Sequence, residues 1–182
     1  MIFLHSIVNK ISSFPLALVF IVSMSGSFAS PVSNNSTTDW NTASGWTPSG
    51  VPNLVIWNGT QDVVVSHNKT SGSLIVKNGN SIRVTSGTIL TVNGNLTLGY
   101  SSSLTVDIGG TLIITGSLLA TNSPSTINID GVLNVGGNYS VSTSGVTHNH
   151  SGFVSVGGNM SVIGNTNINV LGGAVAITGQ LK

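Results

Sequence analysis

The sequence predicts an all-β chain wound as a single-stranded right-handed parallel β-helix of five to six coils, and three observations carry the prediction. The first is a phrase, apolar-x-apolar-x-Gly-x-apolar, that returns five times. It reads Leu90-Thr-Val-Asn-Gly94-Asn-Leu96, Leu112-Ile-Ile-Thr-Gly116-Ser-Leu118, Leu133-Asn-Val-Gly-Gly137-Asn-Tyr139, Val154-Ser-Val-Gly-Gly158-Asn-Met160 and Val175-Ala-Ile-Thr-Gly179-Gln-Leu181. The second is spacing: the anchoring glycines lie 22, 21, 21 and 21 residues apart, and a shorter copy, Thr70-Ser-Gly72-Ser-Leu74, precedes Gly94 by 22. Fixed self-similarity at such a period marks a solenoid, in which each repeat stacks only on its neighbours. The third is alternation. Counting from each glycine, positions -4, -2, +2 and +4 are apolar and most positions between them are Thr, Asn, Ser or Gly, the pattern of a strand with one buried face.

Taken in order, residues 1–29 have the parts of a secretory signal: a weakly basic start with His5 and Lys10, an apolar run from Phe14 to Met24, and Ser27-Phe-Ala29 as a small-x-small cleavage site. A membrane anchor is the alternative, but the uninterrupted apolar run is about half of the roughly 20 residues that a spanning helix requires. The mature chain is therefore expected to begin near Ser30, to be secreted or extracellular, and to contain no membrane span. Residues 30–38 read as a polar linker. Residues 39–61 hold Trp40, Trp46 and Trp57, all three tryptophans of the chain, on a turn-rich segment. Large aromatic side chains there suit an N-terminal cap over the open apolar end of the stack, with an aromatic platform for sugar rings as the alternative. Residues 62–182 are the solenoid repeats.

Within a coil, the anchors Gly72, Gly94, Gly116, Gly137, Gly158 and Gly179 share the parity of the inward residues, so each is expected at a corner where the backbone itself meets the core. A second strand is expected at -12, -10 and -8, seen in Leu104, Val106 and Ile108 and again in Ile127 and Ile129. The residue after each anchor, Asn95, Ser117, Asn138, Asn159 and Gln180, would stack as a polar ladder.

Composition narrows the function. Charged residues make up 5% of the chain and hydrophobic ones 40%, heavily Val, Ile and Leu, which is enough for a packed core. Without the leader, Lys69, Lys77, Lys182 and Arg83 balance Asp39, Asp62, Asp107 and Asp130, leaving no basic face for nucleic acid or an acidic membrane. Cysteine is absent, so stability outside the cytoplasm does not rest on disulfides.

The phrase Trp40-Asn…Gly45-Trp46…Gly50-Val-Pro52, followed by Asp62-Val-Val-Val and the Gly-anchored ladders, resembles the opening of secreted bacterial β-solenoid surface proteins, among them autotransporter passengers and filamentous-haemagglutinin-like adhesins. The resemblance implies a right-handed parallel β-helix exposed at or beyond the cell surface.

Candidate chemistry is sparse, and neither a catalytic set nor a cofactor is expected. β-Helix enzymes acting on polysaccharides gather two or three carboxylates on one face. Asp107 lies at -9 from its anchor and Asp130 at -7 from its own, so the two are not expected to stack. His148-Asn-His150 breaks the pattern: two histidines two apart on a strand point the same way and can share a metal, yet no further ligand is close in sequence. The expectation is that residues 142–151 bulge out as a loop with both histidines in solvent; a metal site and burial with hydrogen bonds are the alternatives. Asn-x-Ser/Thr triplets at Asn34, Asn35, Asn58, Asn68, Asn95, Asn138, Asn149 and Asn159 follow from composition. The outward positions -3 and -1 are too mixed for an ice-binding array.

The function expected is a non-enzymatic secreted or cell-surface solenoid, structural or adhesive, whose polar face contacts glycans, matrix or other cell-surface molecules. The alternatives are a carbohydrate-active β-helix enzyme or glycan-binding module using Asp107 or Asp130, and a fibre subunit that associates end to end. Because Lys182 falls in mid-strand by the phase of the other copies, the chain is expected to be part of a longer solenoid.

Overall fold

The computed structural model describes residues 29–55, 61–121, 125–142 and 144–182. Trp57 and all but the last residue of the leader lie outside them. Strands β3 (Asp62–Val65), β4 (Lys69–Ser71) and β5 (Leu74–Val76) form the first coil. The second is β6 (Ser81–Val84), β7 (Ile89–Val92) and β8 (Leu96–Leu98), and the third β9 (Ser103–Val106), β10 (Thr111–Ile114) and β11 (Leu118–Ala120). The fourth is β12 (Ser125–Ile129), β13 (Val132–Val135) and β14 (Tyr139–Val141), and the fifth β15 (Val146–His150), β16 (Phe153–Val156) and β17 (Met160–Val162). Strands β18 (Asn167–Val170) and β19 (Ala174–Ile177) carry the winding on, and Leu181 bridges to Met160. The protein is a parallel β-solenoid.

Each coil gives one strand to each of three sheets. The longest runs β18-β15-β12-β9-β6-β3-β1-β2, where β1 is Val32–Ser33 and β2 is Trp46–Thr47; the second runs β19-β16-β13-β10-β7-β4 and the third β17-β14-β11-β8-β5. All pairings between coils are parallel, and β1 with β2 is the antiparallel exception. Consecutive coils stack residue on residue, so inward side chains form columns: Leu90, Leu112, Leu133, Val154 and Val175 in the second sheet, and Leu74, Leu96, Leu118, Tyr139 and Met160 in the third. β-Branched and aliphatic residues pack well on such a pleated surface, and the shared core joins every coil.

The anchoring glycines lie where the chain turns from the second sheet to the third, and at Gly116, Gly137, Gly158 and Gly179 the main chain of the coil below leaves no room for a side chain. A Cβ on Gly116 would stand 2.7 Å from the carbonyl carbon and oxygen of Gly94 in the coil below. At Gly72 the corner is one residue shorter, with two residues between Ser71 and Leu74 where the next coil has three between their partners Val92 and Leu96. The expected polar ladder is present at this corner. Asn95 Oδ1 accepts the Ser117 N–H (2.8 Å), Ser117 Oγ accepts that of Asn138 (3.1 Å), Asn138 Oδ1 that of Asn159 (2.9 Å) and Asn159 Oδ1 that of Gln180 (2.8 Å). These N–H groups face a corner where no strand partner exists, so each side chain supplies the acceptor that sheet pairing cannot.

A second glycine column, Gly110, Gly131, Gly152 and Gly173, turns the chain from the first sheet to the second, and the anchor count overlooked it. A Cβ at Gly152 would lie 2.7 Å from the Asp130 carbonyl group and nearer still to Gly131 O. Its signal, a glycine two residues before the first inward residue of each strand at a spacing of 21, was available in the sequence.

Residues 30–38, expected as a linker, instead contribute β1, which pairs with β2 and, through Val32, with Val64 of β3. The helical structure among the described residues is a 3-10 turn, Ala43–Gly45, and no helix there is long and apolar enough to cross a membrane.

Candidate functional site

Two columns face inward from the first sheet. One stacks Val63, Ile82, Leu104, Ile127, His148 and Ile168; the other stacks Val65, Val84, Val106, Ile129, His150 and Val170. The histidines thus occupy slots that are aliphatic in every other coil, and both are fully buried. This corrects the solvent-loop expectation. Residues 146–150 form β15, hydrogen-bonded on both edges, because Thr147 and Asn149 continue the outward columns of Thr126 and Asn128 and the strand alternation then turns His148 and His150 inward. Counted back from Gly158, His148 and His150 fall at -10 and -8, level with Val106 and Ile108 in the count from Gly116. Ile108 is in fact 76% exposed in the turn after β9, which is two residues longer than the turn after β12.

Across the core, the Tyr139 hydroxyl lies 2.5 Å from His148 Nδ1, and the two imidazole centroids are 5.8 Å apart at 64°. Three buried ring nitrogens, His148 Nε2 and both nitrogens of His150, have no hydrogen-bond partner. Native cores leave few such atoms unsatisfied. Burial lowers the His148 pKa to about 4, with the neighbouring His150 acting in the same direction. Burial also lowers that of His150 and raises that of the Tyr139 phenol. Both imidazoles are accordingly neutral near pH 7. Among the described residues no group of three or more His, Cys, Asp or Glu comes together; the pair supplies two donors and no third joins them.

The outward face of the same sheet is polar. One column reads Asp62, Ser81, Ser103, Thr126, Thr147 and Asn167; the next starts at Val64 and is polar from there on, with Arg83, Thr105, Asn128, Asn149 and Asn169. Asn149 Nδ2 donates to Asn128 Oδ1 (2.8 Å) and Asn169 Nδ2 to Asn149 Oδ1 (2.9 Å).

The two aspartates do stack, against expectation. Val106 and Ile129 are in register, so Asp107 and Asp130 follow at equivalent places, their N–H groups bonding Val84 O and Val106 O. The anchor count separated them because it ran back through turns of unequal length. Arg83 Nε is 3.0 and 2.9 Å from the carboxylate oxygens of Asp107, and Ser151 Oγ donates to Asp130 Oδ1.

Trp40 and Trp46 are both buried, with rings 4.7 Å apart at 71°, and Trp46 Nε1 donates to Trp40 O (2.9 Å). Their faces are not open to a sugar ring. The Lys69 ammonium lies 5.4 Å from the Trp46 ring centroid, is buried, and donates to Asn34 O (3.1 Å) and Thr37 O. Desolvation pulls its pKa down, and Asp39 opposes that pull. Nothing in the sequence marked Lys69 as buried.

Compared with protein-family models, with characterised proteins and with solved structures, the chain matches none.

Proposed function

We propose that the chain is a non-enzymatic, secreted or cell-surface solenoid, structural or adhesive, that engages glycans, matrix or neighbouring cell-surface molecules through the outward face of its longest sheet. The observation that supports this reading most is the pair of polar columns on that face. Asn149 and Asn169 each spend one amide proton on the preceding coil and Asn128 only accepts, so further donors and lone pairs of the ladder are left for a ligand. Strand spacing sets these groups about 4.8 Å apart along the axis. A polymer with its own short repeat, such as a polysaccharide, can meet many of them at once, so that weak contacts add without a deep pocket. In this reading residues 1–29 direct export, residues 39–61 cap the first coil around Trp40 and Trp46, and the likeness to autotransporter-type and haemagglutinin-like surface proteins is one of role as well as shape.

Retention of the exported protein on a panel of insoluble polysaccharides and matrix preparations tests this. The expected result is binding to at least one of them, lost in Asn128→Leu/Asn149→Leu while the circular dichroism spectrum is unchanged. Failure to bind any, or binding indifferent to the double substitution, would refute it.

The stacking of Asp107 on Asp130 beside Arg83 favours a second reading, a carbohydrate-active β-helix enzyme. It requires release of reducing sugar that disappears in Asp107→Asn or Asp130→Asn.

A further inference from the structure

We infer that the His148–His150 pair is an acid-operated release built into the solenoid: protonation of the pair opens the coil that holds it, with β18 and β19 stacked on it, while the stack from β6 to β11 stays wound.

The inference starts from position. In a stack where each coil is held only by its neighbours, opening is local to a coil and the contacts it makes. The coil that holds the pair rests on a well-buried neighbour on one side. On the other it meets β18 and β19, where Ile168, Val175 and Ile177 are only partly buried and Val170 is 53% exposed. The pair therefore sits between a fully buried coil and a less buried one.

Surroundings decide the response. From β12 the rings meet Ile127 and Ile129, and from β18 they meet Ile168 and Val170. Across the core, the same coil offers Val154, Val156 and Met160, and β14 offers Val141 and Tyr139. Among the described residues Tyr139 is the titratable group that faces them, and it is neutral. Asp130, at the end of β12, is exposed and takes its hydrogen bond from Ser151, so it offers the imidazoles no counter-charge. A proton placed on either ring would meet a second ring and an aliphatic wall. A buried charge without a partner is relieved by hydration, and here hydration means unwinding.

The two sites answer the sign question together. An opened coil binds protons in the ordinary histidine range and the closed coil does not, so opening is favoured as pH falls below that range. The gain is about tenfold in the opening constant per pH unit for each histidine.

Hydrogen exchange measured by mass spectrometry on the full chain at about pH 7.5, 6 and 5, corrected for intrinsic rates, reads this directly. Peptides within residues 146–182 are expected to lose protection by at least about a hundredfold between the first and last condition, reversibly, while those within 81–120 keep theirs. In His148→Ile/His150→Val, which restores the aliphatic columns, the acid response is expected to vanish. The imidazole resonances of the wild-type chain give a readout that needs no variant: both rings must stay untitrated until protection is lost. Three results would each overturn the inference. They are uniform protection at pH 5, an unchanged acid response in the double variant, and zinc-induced stabilisation at neutral pH that His148→Ala abolishes, which would make the pair a ligand site.

Discussion

Tyr139 and His148 can be replaced singly and together by their aliphatic or aromatic shape-mates, with His150 retained throughout. Tyr139→Phe removes the hydroxyl and leaves His148 Nδ1, now bonded at 2.5 Å, without a partner in a closed core. An orphaned buried polar group costs about 1–3 kcal/mol, so this variant should be less stable by about 2 kcal/mol. His148→Ile puts into the column the residue that stands directly below it, Ile127, and above it, Ile168. It removes the unpartnered Nε2, worth a similar amount, but it also strands the Tyr139 hydroxyl, and the two effects offset to near zero. The double variant has neither orphan and should gain about 2 kcal/mol over the wild type. The coupling between the two positions is then about 4 kcal/mol, at or above the 0.5–3 kcal/mol usual for residues in contact. Urea denaturation at about pH 7.5, followed by far-ultraviolet circular dichroism with constant slopes, measures all four proteins. Single effects that add to the double within about 0.5 kcal/mol would show that the hydroxyl and the imidazole do not share a bond in the folded chain.

Other expectations follow from the same columns. Because the His148 pKa stands at about 4 against 6.5 when free, stability is complete above about pH 6.5 and falls as pH drops toward 4, by about 3 kcal/mol for this residue alone; urea midpoints across that range check it. Val135→Asp places a carboxylate between Ile114 and Val156 in a sealed column, costs several kcal/mol, and should abolish cooperative melting; an unchanged melting curve would refute the inward assignment. Gly152→Val drives a side chain into the main chain of the neighbouring coil, which no rotamer relieves. It should lower the melting temperature by more than the same change at exposed Gly72, where the added atom meets open space.

Much of this fold was legible because it is written repeatedly. The phase of the second and third sheets, the glycine corner and the Asn95-to-Gln180 ladder all follow from counting around one anchor, since the stretch from Leu112 to Leu118 and its copies keep a constant length. The first sheet was not readable in that way. It lies on the far side of a turn that spans residues 107–110 in one coil and 130–131 in the next, so the count slipped by one inward position and made Ile108 a core residue. A direct step of 21 residues from Ile127 and Ile129 lands on His148 and His150 and would have placed them in the core. What resisted was chemical expectation: a segment of Ser, Thr, Asn and His looks like a loop, and only pairing on both edges overrides that preference. Lys69 was illegible for a different reason. Its burial depends on carbonyls of Asn34 and Thr37, more than 30 residues earlier, which no local pattern foretells.

The corner ladder also bears on how such a chain can grow or change. Each acceptor serves the N–H of the coil that follows it, so the bond runs in one direction, and a coil inserted at any interior place both receives and supplies the same bond. Duplicating a whole 21-residue unit leaves each type of contact intact, and even at the shorter corner of the first coil Ser73 Oγ accepts the Asn95 N–H (3.1 Å). The turns of the first sheet, already two residues apart in length between consecutive coils, have no such ladder to protect. Lengthening by whole coils and diversification by loops at the first-to-second-sheet corner are therefore separate routes, and a new binding loop can be introduced at one corner without disturbing the hydrogen-bonded thread at the other.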